Sequence, residues 1–285
     1  MGRILMQDSP DLAPQREFEL TEKDFKFIQW FMHKQAGIYF SDRKQTMVYG
    51  RVSRQMRRLK LKRFEQYREI IEQSAEERVN FINSLTTNKT EFFREYHHFR
   101  FLEQVMIEKW LAQEKQSVRV WSAGCSTGEE PYSYISSLYH AGAFDLFAEV
   151  SLTATDLDTK VLETARRGVY GDEAVQSIPD QYLASCFFKG KGAQAGKIKV
   201  AKGLQQHIRF RQLNLLEEWP FEHAFELISC RNVMIYFDKK TQEALIRRFH
   251  QQLQPGGVLI IGHSESIGAC TDIFRHLGKT IYAKL

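Results

Sequence analysis

Val118-Arg-Val-Trp-Ser122-Ala-Gly-Cys-Ser-Thr-Gly128-Glu-Glu-Pro-Tyr132 joins a short apolar run to a glycine-containing turn and then to the start of a helical pattern. A strand leaving through such a turn into a helix opens an α/β sheet, and open α/β sheets bind ligands at the carboxyl ends of their strands. The turn lacks the GxGxxG spacing of dinucleotide sites. Glu129 and Glu130 also occupy the first helical turn, where a pyrophosphate would sit. Phosphate is therefore disfavoured, whereas a cationic, phosphate-free cofactor such as a sulfonium tolerates the acids. Their bland role is to complement the helix dipole, worth about 0.3–1 kcal/mol each.

Downstream, strands and helices alternate: Val150 to Thr155, a helix to Arg167, Ile208 to Leu213, Leu227 to Cys230, a helix to Leu253, then Val258 to Ile261. This alternation predicts a parallel sheet with crossover helices. Gln254-Pro-Gly-Gly257 reads as a helix stop and turn before the last of these strands. Between Gly168 and Gln206 the alternation breaks, and Gly190, Gly192 and Gly196 precede the alternating Ile198 and Val200. We expect a small antiparallel hairpin inserted there, at about residues 168–206, and a final Ile281 to Lys284 strand closing the sheet edge.

Upstream the periodicity is helical. Thr21 can cap a helix with Asp24 three residues on, and Gly37 supplies its stop. A second helix is expected from Ser41, with Val48, Val52, Met56 and Leu59 on one stripe and Arg51, Arg54, Arg58 and Lys62 about 110° away. Phe64 to Ser74 and Glu76 to Leu85 complete a small all-helical domain. The polar Thr86 to Thr90 stretch then leads into a predicted long helix carrying Phe92, Phe93, Phe99, Leu102, Val105 and Met106. The expected division is a helical domain at 16–88 and an α/β domain at 89–285.

With 285 residues, 43% of them hydrophobic, the chain is long enough for two cores. Met1 to Gln15 lacks the apolar stretch of a secretory signal, and no run approaches the roughly 20 apolar residues of a bilayer span. The four cysteines, Cys125, Cys186, Cys230 and Cys270, have no CxxC spacing, which suits a reducing cytoplasm. Residues 1–94 hold 18 Lys and Arg against 13 Asp and Glu, and the remainder balances at 22 against 22. All of the +5 net charge thus lies in the first third. Nucleic acid, an anionic membrane surface or an acidic protein would each suit such a segment.

Several segments meet the sheet edge where a ligand would bind. The second strand ends Thr153-Ala-Thr-Asp156-Leu-Asp158, so Asp156 is placed to accept from ribose hydroxyls and Asp158 to cap the next helix. Asn214 and Leu215 follow the third strand, where an amide could bond an adenine edge and the leucine its face. Ser229-Cys-Arg231-Asn232-Val-Met-Ile-Tyr236-Phe-Asp238 is a polar patch leaving an apolar strand. Cys230 has no preceding Pro and no evident activating His or Lys, so it reads as a buried small hydrophobe rather than a nucleophile. Tyr236 fits core or site equally, since its hydroxyl needs a partner. Gly262-His-Ser264-Glu-Ser266 superficially resembles a hydrolase elbow, but Ser266 stands where the second glycine belongs. His97-His98 lacks companions at metal spacing and reads as a helix-surface pair; no metal is expected.

Together, Thr87-Asn88-Lys-Thr90-Glu-Phe-Phe-Arg94-Glu, Trp121 to Ser133, Ala154 to Asp158, Cys230 to Asp238 and Gly262-His-Ser-Glu265 resemble the CheR family of chemotaxis receptor glutamate O-methyltransferases, over roughly residues 20–285. The resemblance implies a Rossmann-like methyltransferase domain with an inserted β-subdomain, an N-terminal helical domain, and S-adenosylmethionine as cofactor, leaving S-adenosylhomocysteine. It implies that Asn88, Thr90, Arg94, Glu130, Asp156, Asn214, Leu215, Arg231 and Asn232 surround the cofactor, with Arg94 and Tyr236 nearest the transferring methyl. Its implied partner is the cytoplasmic domain of a chemotaxis receptor, whose acidic methylation helices suit the basic face of Arg51, Arg54, Arg58 and Lys62. The Gly190 to Gly196 turn resembles that of members binding a receptor's carboxy-terminal tether. A cytoplasmic monomer is expected, with no nucleic-acid partner and no membrane insertion.

Two rivals are weighed on the same residues. An RNA or small-molecule methyltransferase would interleave stacking aromatics with the basic residues, and there are none between Arg51 and Arg63. A non-catalytic adaptor would have no need of both Arg94 and Tyr236.

Overall fold

The computed structural model describes residues 16–285; the Met1 to Gln15 stretch read for a signal lies outside the described residues. Thr21 caps α1 (Glu22–Ala36): its hydroxyl accepts the Asp24 amide while the Asp24 carboxylate accepts the Thr21 amide at 2.9 Å. Gly37, in the left-handed region, ends the helix. A single 3₁₀ turn (Asp42–Lys44) delays α2 (Gln45–Arg58), and α3 (Phe64–Gln73) and α4 (Ala75–Leu85) follow. The expected stripes become the core of this bundle: Phe25, Ile28 and Met32 of α1 and Val48, Val52 and Met56 of α2 are all buried. Phe81 makes edge contacts with Phe31 and Tyr67 at 5.5 Å each.

The long helix expected after Thr90 starts later. Residues 92–96 form turns, with Phe93 at φ 52° and Glu95 at φ 58°, values no α-helix contains. Helix resumes at α5 (His97–Phe101) and runs through a π segment (Leu102–Met106) into α6 (Ile107–Ala112). Tertiary packing overrides the local pattern here. Phe92 is drawn edge-on against Tyr170 and Phe187, and Phe93 stacks on Tyr182 at 4.3 Å. Thr90 and Arg94 are therefore not one helical turn apart. Val105, one of the apolar residues read onto that helix, is exposed.

The α/β domain continues with β1 (Ser117–Ala123), α7 (Glu129–His140), α8 (Ala143–Leu146), β2 (Glu149–Asp156) and α9 (Thr159–Arg167). The insertion holds β3 (Val169–Gly171), α10 (Asp180–Cys186), β4 (Phe187–Lys189) and β5 (Lys197–Val200). It is a three-stranded antiparallel sheet in the order β3-β5-β4, not a hairpin. Then come α11 (Lys202–Gln205), β6 (Ile208–Gln212), β7 (Phe225–Cys230), α12 (Lys239–Gln252), β8 (Leu253–Ile261), β9 (Phe274–Gly278) and β10 (Ile281–Lys284).

The seven strands of the main sheet lie in the order β6-β2-β1-β7-β8-β10-β9, with the first five parallel. β10 does not close the edge: it pairs antiparallel with both β8 and β9, and β9 is the outer strand. Gln254 to Gly257 lie within β8, opposite a register shift between Phe225 and Leu227, rather than in a turn before it. Strand order reverses between β1 and β7, so the crevice of a doubly wound sheet opens at their carboxyl ends. Among the described residues no helix is long and apolar enough to cross a membrane.

Candidate active site

A cleft with about 1020 Å³ of open space lies at that switch point. Its floor comes from the turns after β1, β2, β6 and β7; its roof is the linker from Thr86 to Glu91 with Arg94, joined by Ala36, Ile38 and Leu85 of the helical domain. The turns after β1 and β7 meet closely. A Cβ on Gly124, at φ 86°, would lie 2.3 Å from Val233 Cγ2, so only glycine fits.

Asp156 closes β2 and faces the cleft. Its carboxylate accepts the Ser126 amide at 2.7 Å and the Asp158 amide at 2.9 Å, which fixes it against the β1 turn. Burial pushes its pKa up to about 6, against the pull of those amides. Asp158 caps α9 as expected, accepting from Lys160 N, and also accepts from Asn88 Nδ2 at 2.9 Å. Asn88 thereby ties the linker to the sheet, and its backbone carbonyl accepts the Ser126 hydroxyl at 2.8 Å.

Glu130, in the first turn of α7, is not a free anion. It accepts from Ser122 Oγ at 2.8 Å and from Arg231 Nη1 at 3.0 Å. Arg231 also donates to the Arg94 carbonyl and lies 3.7 Å from Glu95, so it acts as a buried strut under the linker. Asn214 lines the cleft, but its amide donates to Gln35 O at 2.9 Å and holds α1 down. Leu213, Leu215, Leu157, Val233 and Phe237 supply apolar lining. Tyr236 stands half-buried, its hydroxyl only 3.5 Å from Thr87 O, with the Lys44 ammonium 5.3 Å from its ring centroid.

The structure thus brings Asn88, Thr90, Arg94, Glu130, Asp156, Asn214, Leu215, Arg231, Asn232 and Tyr236 to one cleft from separate segments. The basic face is only partly available. Arg51 donates to Leu85 O at 2.8 Å, Thr86 O at 2.7 Å and Thr87 Oγ1 at 3.1 Å, and Arg58 pairs with the buried Glu77. Arg54 and Lys62 are exposed, although Lys62 lies beyond the end of α2 rather than on it. His98 is no surface residue: it is fully buried, with Nε2 3.0 Å from Lys279 O. Cys230 is buried, and burial with Glu265 and Glu130 nearby pushes its thiol pKa up, away from nucleophile chemistry. Ser126 and the helical-domain wall of Ala36 and Ile38 were not anticipated. Ser126 stood inside the glycine turn, but nothing in the sequence pointed α1 towards the cleft.

A turn-and-acid pair at the switch point of a mostly parallel sheet, with no phosphate cradle and with carboxylates in its place, defines a Rossmann-like transferase site for a ribose-bearing, phosphate-free cofactor. Residues 23–86 match the CheR methyltransferase all-alpha domain, and residues 88–283 match the CheR methyltransferase SAM binding domain. The chain is 40% identical over 270 residues to chemotaxis protein methyltransferase 2 of Pseudomonas aeruginosa, covering 94% of this chain and 95% of that one. It is 40% identical to the chemotaxis protein methyltransferase of Escherichia coli and 39% to that of Salmonella typhimurium, over 98% of this chain and 95% and 94% of theirs. The chain belongs to the CheR methyltransferase family, and its cofactor is S-adenosylmethionine.

Proposed function

We propose that this enzyme methylates glutamate side chains of chemotaxis receptors in the cytoplasm, forming glutamyl methyl esters, with the acceptor entering beside Tyr236. The observation that carries this reading is the convergence of Asp156 and Tyr236 on one cleft in a chain of this family. The residues suit the cofactor. Asp156 offers acceptor capacity to a ribose diol, and Leu213, Leu215 and Phe237 offer apolar surface to a purine. When bound, the cofactor supplies an activated methyl on a sulfonium leaving group.

A glutamate carboxylate, with an ordinary pKa of about 4.3, is already an anionic nucleophile at neutral pH, so no general base is needed. The protein's task is orientation, which can supply several kcal/mol. The Tyr236 hydroxyl, weakly held by Thr87 O, is free to donate to one acceptor oxygen and so to orient the other. Arg94, whose guanidinium among the described residues makes only a 3.3 Å contact to Lys89 O, binds a carboxylate of cofactor or substrate. Arg54 and Lys62 attract the acidic receptor helix. The exposed outer edge of β4, beside Phe188, offers main-chain pairing to a receptor tether. The enzyme acts as a monomer.

Incubation with methyl-labelled cofactor and a receptor cytoplasmic domain should place alkali-labile label on the receptor. Label that survives alkali, or that appears only on RNA, would remove this reading.

A further inference from the structure

Glu265, three residues beyond Gly262 after the end of β8, does not line the cleft, yet it hydrogen-bonds the amide of Asn232, which does. Its buried carboxylate gathers backbone amides from two strand ends. One oxygen accepts Gly262 N at 2.7 Å and Asn232 N at 2.9 Å; the other accepts Ile235 N at 3.3 Å. Among the described residues it forms no ion pair within 4.0 Å. A buried carboxylate with no counter-ion is costly, and a neutral apolar residue would fill the same space more cheaply. What the charge gives is acceptor bonds to two amides of the turn between Cys230 and Tyr236 and to the Gly262 amide facing it.

That turn is also held by Gln242, whose side-chain amide donates to Met234 O at 2.9 Å and Phe237 O at 3.0 Å, and by Tyr39 N, which donates to Tyr236 O at 2.8 Å, but Glu265 is the side chain that takes up the Asn232 and Ile235 amides. Asn232 sits at φ 59°, in the left-handed region, which asparagine adopts more readily than most side-chain-bearing residues. The close approach also needs Gly262, where a Cβ would lie 2.6 Å from Asn232 Nδ2 and 2.9 Å from Glu265 Oε2. Asn232 and Tyr236 flank the segment whose amides Glu265 holds, and both line the cleft.

We propose that Glu265 is a positioning residue for methyl transfer, fixing Asn232 and Tyr236 on one cleft wall through the amides of Asn232 and Ile235. This rests on the reading that Tyr236 orients the acceptor. The test compares wild type, E265Q, Y236F and the double variant for receptor methylation, and follows amide hydrogen exchange over residues 230–236 in wild type and E265Q. Losing one charge-assisted hydrogen-bond set should lower turnover by about tenfold in E265Q. At saturating cofactor, where any loss through Asn232 is masked, the same change in the Y236F background should cost less than about twofold, because both then act through one hydroxyl. Exchange at Asn232 and Ile235 should speed up while the sheet core stays protected.

Equal losses from E265Q in both backgrounds, or unchanged exchange at the two amides, overturns the proposal. If Y236F alone matches wild type, it is the role of Tyr236 that fails, and exchange still decides whether Glu265 holds the turn. Should E265Q not fold, E265D shortens the same carboxylate by one methylene and is read by the same two measurements.

Discussion

Arg231 Nη1 donates to Glu130 Oε2 at 3.0 Å with the arginine side chain only 2% exposed. The same guanidinium binds the Arg94 carbonyl and faces Glu95, so one buried cation joins the helix after β1, the turn after β7 and the linker above the cleft. Burial alone works against its charge, but Glu130, Tyr134 and Glu95 outweigh that and hold the guanidinium above its ordinary pKa.

Removing that cation should therefore be a fold-level lesion. Arg231→Leu strands two largely buried carboxylates, a class of change that costs about 3–5 kcal/mol. Glu130→Gln keeps a neutral acceptor opposite Arg231 and should cost less. Thermal melts of the two variants check the order; similar melting temperatures for wild type and Arg231→Leu would dismiss the strut.

If Asp156 holds the ribose of the cofactor, its carboxyl, with a pKa raised to about 6 by burial, should give cofactor binding a pH dependence of definite sign. A ribose diol would donate to the ionised carboxylate, so that form should bind. Affinity for S-adenosylhomocysteine should be flat above about pH 7 and fall below about pH 6, approaching tenfold per unit. Asp156→Asn should bind weakly and lose this slope in calorimetry. For the unliganded protein the sign reverses. The folded state holds the Asp156 proton more tightly than the unfolded chain, so this contribution favours folding at low pH and is lost as pH rises through about 6.

Tyr236→Phe removes only the hydroxyl whose nearest partner is Thr87 O at 3.5 Å. If it orients an anionic acceptor, turnover should fall about 10- to 100-fold, the worth of one hydrogen bond to a charged group. Affinity for S-adenosylhomocysteine should stay within about twofold. Undiminished turnover would falsify the assignment.

What the sequence made legible follows from where local chemistry governs. The Thr21–Asp24 box, the Asp158 cap and the strands feeding the cleft rest on local patterns, and they stand as read. The helix placed over Phe92 and Phe93 failed because both rings pack into the inserted subdomain, a contact partner some 80 to 95 positions away that no window reveals. β9 was missed because only Phe274 of its five residues is buried, which leaves an edge strand without alternation. His98 read as surface because the partner of its ring, Lys279 O, lies far along the chain. The same blindness applied to Arg51. Its place in a basic run spoke for solvent, whereas its guanidinium satisfies the carbonyls at the end of α4.

That last difference divides the basic segment into two parts that mutation can separate. Arg54 and Lys62 are exposed and suited to an acidic helix, while Arg51 holds Leu85, Thr86 and Thr87, all of which line the cleft. Exposed ion pairs contribute only about 0.2–1 kcal/mol each and are screened by salt, so Arg54 and Lys62, proposed to dock the receptor, should be reversed together. Arg54→Glu with Lys62→Glu should reduce methylation at subsaturating receptor and leave S-adenosylhomocysteine affinity unchanged. Wild-type activity should decline as ionic strength rises, and the double variant should decline less. Arg51→Ala should do the opposite: with its hydrogen bonds to Thr86 and Thr87 of the linker and to Leu85 at the end of α4 gone, cofactor affinity should fall at every salt concentration. If the double variant methylates receptor as well as wild type at low salt, the receptor docks elsewhere. If Arg51→Ala binds cofactor normally, the linker does not depend on this arginine for its place over the cleft.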